Sequence, residues 1–202
     1  MIKYVIAALV VGGVAGYLNN NFLNVIPNAL VSDQLFSVIL MVLLFVFGFS
    51  FGLDKDAMDK MKKTGPKILA FPLFVVLGSL LAGLVGGLVL RIDVAGAMAV
   101  SAGYGWYTLS GPLIGQLFGA ELGTLGFVAN FFRELLTIMA IPLMVKLDKY
   151  APVASGGATT MDTTLPVIMR YCGSDMLITA LSNGLILTLI APFTIIAIAS
   201  LA

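Results

Sequence analysis

The sequence predicts an all-α, polytopic integral membrane protein, on three observations. Of the 202 residues, 60% are hydrophobic and only 10% are charged, whereas soluble domains carry about a quarter charged residues. Mean hydropathy is +1.08, so lipid must be the solvent for much of the surface. The apolar residues fall in long continuous runs rather than the ~10-residue alternating segments of an outer-membrane barrel.

A membrane helix needs roughly 20 apolar residues, and five runs qualify as full spans: about 2–18, 33–53, 67–90, 122–145 and 175–201. Lys3 precedes the first run, but no small-residue cleavage site follows, so it reads as a span and not a removed signal. Residues 1–93 read as a three-span scaffold and 94–202 as the part holding a solute site, within one transmembrane domain. The stretch from Asp54 to Lys67 holds Lys55, Lys60, Lys62 and Lys63 as well, which places it on the cytoplasmic side.

Two segments, 94–120 and 151–172, are interrupted at their centres by Gly, Ser, Thr and Pro. Each is either one broken span or a re-entrant hairpin. Full crossing gives seven spans and leaves Arg91, Lys146 and Lys149 outside; re-entry gives five spans plus two hairpins and leaves only Arg91 outside. The positive-inside rule favours the second topology, with a cytoplasmic N-terminus and an outside C-terminus in the inner (plasma) membrane. Gly12/Gly16, Gly83/Gly87 and Gly111/Gly115/Gly119 have the spacing that lets helix backbones approach closely.

Arg133, Glu134 and Asp162 lie deep in apolar sequence, where a charge costs about 2.5–3.5 kcal/mol by insertion scales. Asn130, Glu134 and Thr137 share one helical face, with Arg133 at its edge. A structural alternative pairs Arg133 with Glu134 or Asp162 merely to hold helices together. Asp162 sits among Thr159, Thr160, Thr163 and Thr164 in a glycine-rich break, the kind of site that coordinates ions and polar solutes in transporters; it could also cap a helix beginning near Leu165. The other break offers Tyr104, Trp106, Tyr107 and Ser110, whose rings suit either a pocket wall or an interfacial belt. Candidate solute- and proton-binding residues are therefore Glu134, Asp162, Asn130, Arg133, Ser110, Trp106, Tyr107, Thr160 and Thr163.

Two acids against one arginine favour a cationic solute. Driving a cation out against the membrane potential costs about 2.3 kcal/mol per charge per 100 mV, so export needs a coupled ion, and a titrating carboxylate makes that ion a proton. With no histidine and one cysteine, no metal cluster, cofactor site or enzymatic triad is expected, and a net charge of +1 gives no nucleic-acid signature. A channel or a non-transporting membrane subunit is the alternative, although no ring-forming filter motif is present.

Residues 101–111 (SAGYGWYTLSG), 130–134 (NFFRE) and 157–166 (GATTMDTTLP) together resemble the LysO-type lysine exporter family. The resemblance is strong over about 95–190 and looser before that. It implies export of lysine or a related cationic amino acid, coupled to protons, with Glu134 and Asp162 matching two essential membrane acids. Single-chain members carry a further N-terminal hydrophobic part with another membrane acid. The resemblance therefore also implies a small membrane partner of about three spans, or a homodimer, to complete the site.

Overall fold

A computed structural model of the chain describes residues 2–19, single positions between 35 and 59, and residues 67–202. The chain divides into two compact units, Met1–Ser50 and Phe51–Ala202. In the first, helix α1 covers Ile2–Leu18, the extent expected of the first span. The expected span 33–53 and the lysine-rich stretch up to Lys67 fall largely outside the described residues; every position described between 35 and 59 is helical.

Among the described residues of the second unit all regular structure is helical, as expected. From Lys67 on, in chain order, these are α2 (Lys67–Leu90), α3 (Val94–Ser101), α4 (Tyr107–Phe118), α5 (Ala120–Met144), α6 (Ala151–Gly156), a 3₁₀ turn (Gly157–Met161), α7 (Leu165–Cys172), a second 3₁₀ turn (Ser174–Met176) and α8 (Leu177–Leu201). Among the described residues three helices are long and apolar enough to cross a membrane, over Leu69–Leu90, Ala120–Met144 and Ser174–Leu201. They coincide with the last three expected spans.

The two interrupted segments are hairpins. In the first, α3 enters, the chain turns at residues 102–106, and α4 returns along α5. Asp93 starts α3, its carboxylate accepting the Gly96 N–H at 2.6 Å, as an N-cap does. Gly96 packs directly on Leu122, so the start of α3 and the start of α5 lie at the same end of the unit. In the second hairpin α6 enters, the chain turns through the 3₁₀ segment, and α7 returns. The Lys149 ammonium pairs with the Asp175 carboxylate, which holds the two ends of that segment together and lifts the Lys149 pKa above its ordinary value. Because α5 runs between these two ends, the hairpins enter from opposite ends of the unit.

Their tips touch. The Ala158 N–H donates to the Tyr104 carbonyl at 2.8 Å. This contact depends on backbone shape: Tyr104, Gly105 and Gly157 all have positive φ, at 49°, 97° and 63°, a region that disfavours a Cβ. A Cβ on Gly157 would collide with the Tyr104 carbonyl oxygen. The close glycine spacings serve packing. Gly83 and Gly87 lie under α3, and Gly111 lies under Phe127 of α5, where a Cβ would come within 2.8 Å of the Phe127 side chain.

Candidate functional site

The site is built on the inner face of α5. Gly123, Gly126, Asn130, Glu134, Thr137 and Ile141 recur every three or four residues and are all buried. This is the face on which the sequence places Asn130, Glu134 and Thr137. Small residues at its first two positions let α4 come close, and the polar residues follow below.

Asn130 fastens the first hairpin. Its Oδ1 accepts the Gly105 N–H at 2.7 Å, and its Nδ2 donates to the carbonyls of Val100 and Gly126, both at 2.8 Å. The amide thus satisfies the Gly105 N–H in the break and ties the hairpin to α5. Ser110 lies beside it, fully buried, its hydroxyl donating to the Gly126 carbonyl at 3.4 Å.

Glu134 is 2% exposed, and neither carboxylate oxygen has a partner at hydrogen-bonding geometry. Its polar neighbours are the side chains of Tyr107 and Thr163, one from each hairpin, and Asp162 lies within electrostatic range. The Tyr107 ring is held edge-on against Phe127 and Phe131, with centroids 5.4 and 5.5 Å away. An unpartnered carboxylate in a buried site is costly unless it takes up a proton or meets a cation.

Asp162 is exposed in the second break. One of its oxygens accepts the Thr163 N–H at 2.5 Å and the Thr163 hydroxyl at 3.3 Å. Helix α7 begins at Leu165, near where a cap would put it, yet the N-cap residue Thr164 makes no side-chain cap hydrogen bond, and Asp162 is not the N-cap. The Asp162 carboxylate therefore keeps acceptor capacity facing outward. Thr163 bonds Asp162 and lies beside Glu134, so it stands between the two acids.

Arg133 turns to other partners. It donates from Nε to the Ser155 carbonyl at 2.9 Å, from one Nη to the Ala154 carbonyl at 3.1 Å, and from the other to the Ser79 hydroxyl at 3.2 Å. Among the described residues it pairs with no carboxylate, so the expected structural alternative, an Arg133–Glu134 or Arg133–Asp162 pair, is not formed. A cation beside the carbonyl end of α6 satisfies the open carbonyls there and complements the helix dipole. Arg133 also lines a cleft of about 540 Å³ with Ser79, Ser101, Asn130 and Ser155; neither Glu134 nor Asp162 lines it.

The remaining candidates are held by the scaffold. The Thr160 hydroxyl bonds the carbonyls of Gly157 and Ala180, each at 2.8 Å, tying the second tip to α8. Trp106 is half-buried at the start of α4, where its carbonyl accepts the N–H groups of Leu109 and Ser110. The structure therefore gathers Glu134, Tyr107, Thr163 and Asp162 into one cluster. It sets Asn130, Ser110 and Thr160 around the hairpin tips, and leaves Arg133 on the cleft.

Two residues of the tips were not among the sequence candidates. Asn183 on α8 is 0% exposed, and its Nδ2 donates to the carbonyls of Val153 and Gly157 at 3.2 and 3.1 Å. The signal for it was available: it is an amide in the middle of an apolar span, as Asn130 is. Ser155 carries two of the contacts that anchor the second hairpin to α5, through its carbonyl to Arg133 and through its hydroxyl to Thr137 at 2.7 Å.

The model of the lysine exporter LysO family matches residues 6–199. The chain belongs to that family. Within the LysO family, the lysine exporter LysO of Escherichia coli (strain K12) is 40% identical over 121 residues, which is 60% of this chain and 40% of that protein. A provisionally named lysine exporter of Haemophilus influenzae is 26% identical over 191 residues, 95% of this chain and 94% of that protein. The chain thus covers well under half of the first relative and nearly all of the second. No solved structure matches it.

Proposed function

We propose that the chain exports L-lysine, or a closely related cationic amino acid, in exchange for protons, with Glu134 and Asp162 as the acids that bind them in turn. The observation that carries this reading is Glu134 itself: a buried carboxylate, both oxygens unpartnered, facing Tyr107 and Thr163 where the two hairpins approach. Arg133 is occupied by carbonyls and a hydroxyl, so it does not neutralise the acids. A proton or a substrate ammonium fills that role, and their exchange couples the two fluxes. Family membership supports lysine as the solute, and the Escherichia coli and Haemophilus influenzae relatives are both named for lysine export.

The same reading takes the two hairpins as re-entrant in the inner membrane, with five full spans, a cytoplasmic N-terminus and an outside C-terminus. Its support is the pairing of Lys149 with Asp175 at one end and the contact of Gly96 with Leu122 at the other. Irregular backbone at membrane depth is tolerated where protein or a wet cavity satisfies it, and the two tips satisfy one another. In this reading a small membrane partner of about three spans, or a second copy, completes the transporter; the match covers 40% of the Escherichia coli relative and 94% of the Haemophilus influenzae relative.

The test is efflux from vesicles holding the chain, with and without such a partner. A pH gradient should drive lysine efflux, and Glu134→Gln or Asp162→Asn should lower the rate by about a hundredfold or more while the protein still inserts. Undiminished efflux in both variants would overturn the roles given to the two acids.

A further inference from the structure

The two hairpins, each with the crossing helix that follows it, share a set of corresponding positions at their tips. Asn130 reaches back 30 residues to the Val100 carbonyl, and Asn183 reaches back 30 residues to the Val153 carbonyl. Keeping the same interval along the chain, Gly103 corresponds to Gly156, Tyr104 to Gly157 and Gly105 to Ala158. Each returning arm joins its crossing helix through a glycine of the same conformation, Gly119 at φ 95°, ψ 163° and Gly173 at φ 93°, ψ 162°. The hairpins enter from opposite ends, so the halves are inverted copies of one unit, an arrangement on which alternating access is commonly built.

The copies differ in their tip hydrogen bonds, and one of the differences concerns the asparagine oxygen. In the first half the Gly105 N–H donates to the Asn130 side-chain oxygen. In the second half the corresponding Ala158 N–H donates across the interface to the Tyr104 carbonyl. The corresponding Asn183 oxygen is left buried and without a partner. A buried acceptor with no donor is costly, and here its donor's counterpart is known from the other half.

We infer that Asn183 is a positioning residue of the transport cycle, and that this structure is one of two states related by the internal symmetry. In the second state the Ala158 N–H turns to the Asn183 oxygen, the Gly105 N–H crosses to the Gly157 carbonyl, and the Asn130 oxygen becomes the unpartnered one. The exchange keeps the number of tip hydrogen bonds constant, so neither state is strongly preferred. It moves each tip relative to its own crossing helix, opening first one flank of Glu134 and then the other. The inference rests on the transport reading for its purpose, but the two states are detectable without it.

The experiment is NMR of ¹⁵N-labelled protein in lipid nanodiscs with no solute added, following the Gly105 and Ala158 amides. Two sets of resonances are expected for each. Asn183→Leu removes the acceptor of the second state and should shift the population about tenfold toward the first. Asn130→Leu should shift it the opposite way. Asn183→Asp keeps a side-chain oxygen at the position and should retain both sets; if a leucine variant fails to fold, the alanine variants at the same positions give the comparison. A single set of resonances unaffected by either asparagine, or a shift in the same direction for both, would overturn the inference. An absence of lysine efflux would reject the transport reading and leave this result standing.

Discussion

The first hairpin is closed on itself and the second is not. In the first, the amide of Asn130 uses both its oxygen and its nitrogen on the break, and α4 returns over 12 residues packed along α5. In the second, Asn183 uses only its nitrogen, the turn runs through an irregular 3₁₀ segment, and α7 returns over 8 residues with the exposed Asp162 just ahead of it. The halves share their frame and divide the chemistry. The position corresponding to Glu134 in the second half is Leu187, and the position corresponding to Asp162 in the first is Leu109. A symmetric frame supplies two comparable states, while acids placed asymmetrically on it give the transition something to carry.

The largest expected effect that sharpens this comparison is at the glycines of the tips. Gly157→Ala should cost about 3 kcal/mol or more, because φ is 63° and the new Cβ meets the Tyr104 carbonyl oxygen. Gly105→Ala, with φ 97° and its Cβ 3.2 Å from the Gly156 carbonyl, should cost about 1–2 kcal/mol. Thermal unfolding in detergent measures both, and equal losses would mean that the second tip is no more tightly gripped than the first. A smaller difference is expected between the two asparagines. Asn130→Ala removes three hydrogen bonds and leaves the Gly105 N–H unpaired, a loss of about 2 kcal/mol. Asn183→Ala also removes the burial of an unpartnered oxygen, so its loss should be about 1 kcal/mol. The reverse order would contradict the unequal closure of the hairpins.

Much of this was legible in the sequence because it depends on local pattern. The last three spans follow from run length, and the interruption of segments 94–120 and 151–172 follows from the Gly, Ser, Thr and Pro at their centres. The burial of Asn130, Glu134 and Thr137 follows from helical periodicity, and the three family motifs fall in the two breaks and on α5. What escaped depends on contacts far apart in the chain. A buried arginine next to a glutamate suggests an ion pair, but adjacent residues on a helix point about 100° apart, and Arg133 finds the open carbonyls of α6 instead. Asn183 is hidden by the apolar run around it. The internal repeat is carried by a few positions, Val100/Val153, Gly103/Gly156 and Asn130/Asn183 among them, while the rest of the two halves has diverged. Whether Asp162 is sheltered or open depends on how the irregular backbone after Met161 folds, which no periodicity describes.

The two hairpins enter from opposite ends, and each returns to the end it came from. Sidedness of single cysteines tests this most directly, in a Cys172→Ser background with a membrane-impermeant maleimide applied to intact cells and to inverted vesicles. Lys149→Cys and Asp175→Cys should react from one common side, and Asp93→Cys and Glu121→Cys from the other. Reaction of the Lys149 and Asp175 positions from opposite sides would mean that residues 151–172 cross the membrane, and would contradict the account.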